Sequence, residues 1–379
     1  MRTPPPAPTR KKWRKRLALA AVLATAAVLA GMLPAAASNG TIWTSLPSMP
    51  TARRAPASAA APCPPGQAGT CVYTVGGQAG TSQVATIESY NRITNAWSTL
   101  PPMPTRRSHA AAVAAPCPPG QSGTCVYVIG GLVTEGETAT FQSAVESYNP
   151  VTNAWSILAP LRTPRSGLAA AAAPCPPGQS GTCVYAVGGS SNAAPVTGLA
   201  ESYNPANNAW STVATMPVPR ALLGSAAAAC PPGQQGTCVY AVGGFDTAPT
   251  TAVHSYNPAT NVWSPVAPLP VGRWAAGTAA STCPPGQSGV CVYTMGGVNL
   301  SSVQSYNPAS NLWTDLPPMP TPRTHLAAAA MQCPTGVAGN CVYATGGVAD
   351  QGVVSGALEA LDPPDRVQAA DVAEQPQED

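Results

Sequence analysis

The sequence predicts an all-β protein: a six-bladed β-propeller with four antiparallel strands per blade and a ring closed by an N-terminal strand. Three observations predict this fold. One motif recurs six times at intervals of 50 to 58 residues, each copy holds four strand-sized runs, and 45 Pro and 35 Gly residues supply turns. Repeats of this length indicate stacked units, because one unit alone cannot bury its apolar faces.

The motif is clearest in its second copy. Arg107 is followed by the hairpin Cys117–Cys125, by Gly130-Gly131, by Tyr148 and by Trp155. From copy to copy, the distance from the first glycine to the tyrosine ranges from 10 to 18 residues, while the other spacings barely change. The length variation therefore falls in one loop per blade, between strands two and three.

Each copy contains four short runs with strand character. The first is small and Ala-rich, as at His109–Val113. The second is a Cys-Val-Tyr run that is apolar on both alternating faces, as expected of a strand covered on both sides. The third ends at Ser-Tyr-Asn-Pro and the fourth begins at Trp, with Asn-Pro and Pro-Pro-Gly marking turns between strands.

The two ends of the repeat region complement each other. The sixth copy stops at Leu358–Pro363, in the position of a third strand, and lacks a Trp strand. An unpaired Trp strand, Trp43–Pro47, lies near the N-terminus instead. Residues 41–49 are therefore predicted to complete blade six, which removes two open sheet edges.

The motif resembles the kelch repeat family. The resemblance rests on Gly-Gly after an aromatic-bearing strand, then Tyr, then Trp at a fixed distance, then Met-Pro-x-x-Arg, and it covers about 320 residues. It implies a propeller that binds proteins or glycans, and a few relatives such as galactose oxidase are enzymes. All 11 Tyr here occupy repeat positions, so the extra Tyr that a copper-radical site like that enzyme's requires is absent.

Twelve cysteines form six pairs at one spacing, each flanking a seven-residue loop between two antiparallel strands. Hairpin partners can reach the Cα separation of a disulfide, and export would favour oxidation. The alternative is metal binding, but structural zinc prefers closer pairs with a neighbouring His or Cys. The sequence predicts six disulfides, between Cys63 and Cys71, Cys117 and Cys125, Cys175 and Cys183, Cys230 and Cys238, Cys283 and Cys291, and Cys333 and Cys341.

The N-terminus has the pattern of a signal peptide, assigned to residues 1–37. A basic segment precedes the apolar run Leu17–Leu33, and Ala35–Ala37 offers a cleavage site. The alternative is an uncleaved anchor, although a membrane span needs about 20 residues. The sequence thus predicts a secreted or extracytoplasmic protein, with a propeller at 38–361 and an acidic, disordered tail at 362–379.

Charge and motifs narrow the function. Residues 38–361 carry ten Arg and nine acidic residues, which argues against general nucleic-acid binding. The chain has no phosphate-binding Gly-rich loop and no H-E-x-x-H motif, so no cofactor, metal or catalytic residue is predicted. The prediction is a monomeric, non-enzymatic module that binds a protein segment or a glycan through its variable-loop face. The alternative is a secreted, carbohydrate-active enzyme of the kelch kind.

An arginine recurs in the loop from strand four to the next strand one. Two interpretations remain open: it binds loop carbonyls or the Glu that begins strand three, or it binds a ligand. His109 and His325 both lie two residues after this arginine. They are either a pair near the channel mouth or two polar residues at a tolerant position. The six arginines are Arg53, Arg107, Arg165, Arg220, Arg273 and Arg323.

Blades four and five depart from the pattern. His254 and Gln304 replace the strand-three Glu, which predicts that the arginines of these blades lack a carboxylate and are free to bind an anion or a planar polar group. Trp274 is the one Trp after residue 37 outside a repeat position, and it either anchors a ligand or packs between blades. The candidate ligand contacts are Trp274, Arg273, Arg220, Phe245 and His254.

Overall fold

The computed structural model describes residues 43–298, 300–336 and 339–362. The predicted signal peptide and all of the acidic tail except Asp362 lie outside the described residues. In chain order the strands are β1 (Trp43–Leu46), β2 (Ala57–Pro62), β3 (Thr70–Val75), β4 (Gln78–Ala79), β5 (Ser82–Gln83), β6 (Ile87–Asn91), β7 (Ala96–Leu100), β8 (Ala111–Pro116), β9 (Thr124–Ile129), β10 (Leu132–Glu135), β11 (Thr138–Phe141), β12 (Val145–Asn149), β13 (Ala154–Ile157), β14 (Ala169–Pro174), β15 (Thr182–Val187), β16 (Ala200–Asn204), β17 (Ala209–Thr212), β18 (Gly224–Ala229), β19 (Thr237–Val242), β20 (Val253–Asn257), β21 (Val262–Pro265), β22 (Gly277–Thr282), β23 (Val290–Met295), β24 (Val303–Asn307), β25 (Leu312–Leu316), β26 (Ala327–Gln332), β27 (Asn340–Thr345) and β28 (Leu358–Leu361).

Six four-stranded antiparallel sheets form the blades, which confirms the predicted propeller. Their strand orders are β2-β3-β6-β7, β8-β9-β12-β13, β14-β15-β16-β17, β18-β19-β20-β21, β22-β23-β24-β25 and β26-β27-β28-β1. Two small hairpins, β4-β5 and β10-β11, fill the loops between strands two and three of blades one and two. A 3₁₀ turn, Asp350–Gly352, lies in the corresponding loop of blade six. No described helix is long and apolar enough to span a membrane.

The strand pattern follows from the position of each strand in its blade. The innermost strands line the channel and consist mainly of Ala, because neighbouring blades approach most closely there. The second strands are buried on both faces, as their apolar runs predict. The first strand of blade two is Ala111–Pro116 and not His109–Val113, because His109 has a φ of 53°, which does not fit a strand.

The ring closes as predicted. Strand β1 pairs with β28, Trp43 opposite Leu361, and supplies the fourth strand of blade six. The Trp43 Nε1 group donates to the carbonyl of Pro317 in blade five, and Trp97 in blade one donates to Pro47. All six repeat tryptophans bond the preceding blade in this way, so the interface between blades six and one matches the others.

All six predicted disulfides are present, each within its own hairpin. Their Cα–Cα distances are 4.7 to 4.9 Å, within the range for a disulfide. The described residues contain one cluster of metal-type ligands, Cys333, Cys341 and Asp362, but its two sulfur atoms are bonded to each other. The alternative of metal binding at the cysteine pairs therefore has no free thiolate to use in the described structure.

The disulfide pattern can be checked directly. Peptide mapping of the purified protein without reduction should find six linked pairs, each eight residues apart in sequence, and no free thiol, because each hairpin already holds its two sulfur atoms together. Mapping after reduction and alkylation is the control. A linked pair from two different blades would contradict the prediction.

Candidate functional site at the channel mouth

The variable loops of all six blades lie on one face of the ring. The loop after strand two forms β-bridges with the loop that enters strand one, for example Ser108 with Leu132 and Ala221 with Phe245. We call this surface the variable-loop face. The disulfide hairpins lie at the opposite ends of the strands, and so does Asp362, whose Oδ1 is 3.3 Å from the Sγ of Cys341. The described chain therefore ends on the face away from the variable loops.

A closed collar of backbone hydrogen bonds surrounds the channel at the variable-loop face. One residue per blade, two positions after the recurring arginine, has a positive φ between 48° and 60°. Each of these residues donates its N–H to the carbonyl of the corresponding residue in the preceding blade, over N–O distances of 2.7 to 3.1 Å. The six bonds form a complete cycle. The collar consists of Ala55, His109, Gly167, Leu222, Ala275 and His325.

The channel behind the collar is narrow. The cavity at the collar has a volume of about 90 Å³, and two further cavities along the inner strands have about 110 and 250 Å³. Neighbouring cavities share lining residues, so the three are sections of one channel, and the section at the collar is the smallest of them. This narrow entrance favours recognition by groups at the mouth and on the outer surface of the variable-loop face.

The recurring arginines lie beneath the collar and are buried. In four blades each one pairs with the strand-three glutamate at 2.6 to 2.8 Å and also donates to backbone carbonyls. Burial lowers the pKa of Arg53 to about 10, and the charge and hydrogen bond of Glu88 oppose that shift. The arginines therefore join the entering loop to strands two and three. The four pairs are Arg53–Glu88, Arg107–Glu146, Arg165–Glu201 and Arg323–Glu359.

The glycine pair after strand two makes room for the same loop. Gly130 has a φ of 61°, and a Cβ there would lie 2.6 Å from the carbonyl oxygen of Arg165. The N–H of Gly131 donates to that oxygen at 2.8 Å. A side chain at Gly130 would push away the loop that carries the next blade's arginine.

The arginines of blades four and five are also buried, although they lack a glutamate. Arg220 donates to the carbonyls of Val218 and Ala241 and lies 3.4 Å from Nδ1 of His254. Arg273 donates to the Oε1 of Gln304 at 2.7 Å and to neighbouring backbone.

The sequence predicted free guanidinium groups at Arg220 and Arg273, but both groups are buried and hydrogen-bonded. Carbonyl and amide oxygens take the place of the missing carboxylate, because a buried donor must find an acceptor. Burial and the charge of Arg220 lower the pKa of His254 to about 4, so this imidazole is neutral at pH 7. In this structure Arg220, Arg273 and His254 support the loops from below and do not reach the outer surface.

Four rings form a continuous row over the mouth. Phe245 contacts Trp274 at a centroid distance of 5.4 Å, Trp274 contacts His325 edge-on at 5.4 Å, and His325 contacts His109 edge-on at 5.6 Å. All four side chains are partly exposed. We call Phe245, Trp274, His325 and His109 the aromatic row. The row extends from blade four to blade two, past Ala55 of blade one.

One exposed cation flanks the row. Arg54, in blade one, donates from Nε and Nη2 to the Oε1 of Gln78 and has no ion-pair partner among the described residues. The exposed Arg106 of blade two pairs with Glu135 at 2.9 Å. The mouth therefore combines an aromatic surface with a positive charge that no described carboxylate balances.

Sequence reasoning singled out Trp274 and Phe245 but did not predict that they contact each other or the histidines. It considered a histidine pair near the mouth as one of two alternatives, and the structure brings the two rings together. It missed Arg54 and the collar. The available signal was positional: His109 and His325 occupy the same place in their repeats, and Trp274 stands one position earlier in its own.

Comparisons with known proteins agree with the repeat pattern. The Kelch motif family model matches residues 59–104, 106–162, 171–217, 227–270 and 286–320. The chain is 26% identical over 236 residues to Kelch-like protein 25 of Xenopus tropicalis, covering 60% of this chain and 35% of that protein. It is 37% identical over 122 residues to Kelch-like ECH-associated protein 1B of Danio rerio, covering 31% of this chain and 18% of that protein.

A solved structure titled "Structure of YjhT" shares the fold. It superposes with a TM-score of 0.59 at 16% sequence identity, over 82% of this chain and 95% of that one. This likeness concerns architecture alone. The chain spans about a third or less of the length of the two Kelch-like proteins described above.

Proposed function

The chain belongs to the kelch-repeat family, and from that premise we propose that its propeller is a protein-binding module that holds an extended segment of a partner across the variable-loop face. The observation that carries the proposal is the aromatic row. Large aromatic side chains, partly exposed and held by one another, are typical of the few residues that dominate binding energy at protein interfaces.

One feature of the surroundings supports a protein partner. The channel entrance at the collar has a volume of only about 90 Å³, which favours contact with the outer surface over entry of a ligand into the channel.

The compartment is part of the same proposal. Six disulfides suit an oxidising environment, which agrees with the predicted export signal at residues 1–37. We propose that the propeller works outside the cytoplasm as a monomer. Glycan binding and carbohydrate chemistry remain alternative predictions, and the binding experiment includes a test for the first of them.

Replacing Trp274 with alanine should weaken partner binding at least fivefold, because the change removes the central ring of the row. That factor corresponds to about 1 kcal/mol, the threshold for an important interface residue. The measurement uses a displayed library of 12-residue peptides, selected on protein beginning at residue 38 and immobilised through its C-terminus, followed by Kd values for the enriched peptides.

Ile157→Ala is the matched control, because this aliphatic side chain is 78% exposed and lies on strand β13, outside the aromatic row. Peptides should bind this variant as they bind the parent. Enriched peptides that bind the parent, Trp274→Ala and Ile157→Ala equally would contradict the proposal. Binding only to an array of glycans would favour the carbohydrate alternative instead.

A further inference from the structure

The collar places two histidines and one arginine around a single small residue. The N–H of Ala55 donates to the carbonyl of His325, and the N–H of His109 donates to the carbonyl of Ala55. Arg54 directly precedes Ala55 in the chain. The two imidazoles thus flank the loop that carries the one exposed arginine of blade one.

Each imidazole is held in the same way by the residue before it. The Nδ1 of His109 lies 3.1 Å from the Oγ of Ser108, and the Nδ1 of His325 lies 3.1 Å from the Oγ1 of Thr324. When the hydroxyl donates to Nδ1, the ring proton is on Nε2, which makes Nε2 a donor. Among the described residues, neither Nε2 has a hydrogen-bond partner.

The charges around the two imidazoles have one sign. Burial lowers the pKa of each to about 4, and Arg54 acts on both in the same direction, as does His325 on His109. No described carboxylate acts on either ring. The nearest charged group is Arg54, which donates from Nε and Nη2 to the neutral amide oxygen of Gln78. Its Nη1 has no hydrogen-bond partner among the described residues.

We propose that this cluster, Arg54 with His109 and His325, binds a carboxylate side chain of the partner segment, while Trp274 packs against an apolar residue next to it. The proposal rests on the proposed function and states which partner residues the mouth recognises: an Asp or Glu adjacent to an aliphatic or aromatic residue. A carboxylate accepts hydrogen bonds from both Nε2 groups and from Nη1, and charge-assisted bonds of this kind are stronger than neutral ones.

Proton linkage gives the cluster a distinctive signature. A bound carboxylate favours the charged imidazole and so raises both histidine pKa values toward their ordinary value. Within the described part of the chain, Arg54 is the one other charged group that acts on both rings. Binding of the carboxylate therefore takes up protons, and its affinity increases as pH falls from 8 to 5.5. An arginine alone would give no such dependence over this range.

The experiment is a titration of the full propeller with sodium acetate, followed by NMR of the histidine ring signals at constant ionic strength, with acetamide as the neutral control. The signals of His109 and His325 should shift saturably with acetate and not with acetamide. Affinity should be at least threefold higher at pH 5.5 than at pH 8. Arg54→Gln should lower acetate affinity about tenfold. His109→Gln with His325→Gln, followed through the indole N–H signal of Trp274 because its reporter histidines are gone, should abolish the pH dependence.

Arg106→Gln is the matched control, because Arg106 is exposed on the next blade but already paired with Glu135. Acetate that shifts neither histidine, or an equal loss of affinity in the Arg54 and Arg106 variants, would overturn the carboxylate site. Peptides that depend on Trp274 but bind Arg54→Gln normally would leave the docking function standing and overturn this inference. Saturable acetate binding without any Trp274-dependent peptide would leave the carboxylate site standing and overturn the docking function.

Discussion

Replacing Glu201 with alanine is expected to destabilise the propeller by about 3–5 kcal/mol, the cost of removing one partner from a buried ion pair. Its Oε2 lies 2.6 Å from Nη2 of Arg165, and solvent reaches neither side chain appreciably. The substitution leaves a buried guanidinium whose charge no neighbouring carboxylate balances. Urea unfolding under non-reducing conditions, followed by circular dichroism, measures the loss.

Glu201→Gln is the informative comparison, because blade five already uses this chemistry. There the Oε1 of Gln304 accepts the hydrogen bond from Arg273 at 2.7 Å. The amide keeps the acceptor and the packing, so it should cost no more than about half as much as alanine, since an unsatisfied buried donor accounts for much of the penalty. Equal losses in the two variants would mean that the charge of Glu201, and not its hydrogen bond, holds the arginine.

The same comparison explains why the prediction of free arginines did not hold. The absence of a glutamate in blades four and five was visible in the sequence, and it suggested a vacancy. In the folded ring, the carbonyls of Ala241 and Val218 lie within reach of Arg220 whatever residue occupies the strand-three position. Backbone acceptors do not depend on side-chain identity, so a missing carboxylate alone does not predict an available cation.

The parts of the fold that the sequence predicted well depend on local chemistry. Hairpins closed by a cysteine pair, Asn-Pro turns and doubly apolar strands are each decided within about 15 residues, and six copies reinforce one another. The incomplete sixth copy also predicted the closing strand, because an unpaired edge requires a partner.

The mouth was harder to predict because its parts lie far apart in sequence. His109 and His325 are in contact only because the ring brings blades two and six to either side of blade one. The collar likewise depends on six positive φ values that non-glycine residues adopt at five of the six positions. Such conformations carry no strong sequence signal. The site forms only when the ring closes and brings distant blades together, and no single repeat predicts it.

Removing the strand that closes the ring is expected to have the second large effect on stability. Deleting residues 39–50 should abolish cooperative unfolding or cause aggregation, because strand β28 then loses its only partner on one side. All four residues of β28 are buried in the intact ring, so the deletion exposes both a backbone edge and apolar side chains.

The deletion also removes contacts on both sides of the last interface. Trp43 Nε1 no longer reaches the carbonyl of Pro317, Trp97 loses its acceptor at Pro47, and Thr44 no longer donates to the Oδ2 of Asp362. Asp362, which the sequence assigned to the acidic tail, is fully buried and therefore belongs to this closure. Blades five, six and one lose shared contacts at once.

Thermal unfolding by circular dichroism and light scattering tests the effect, with deletion of residues 364–379 as a control that removes chain beyond the described ring. The control should unfold as one cooperative transition at the parent temperature. The N-terminal deletion should show a broadened transition or scattering before unfolding, because the unpaired edge of β28 can join another chain. A deletion variant that melts like the parent would mean that the remaining three strands of blade six seal the ring without β1.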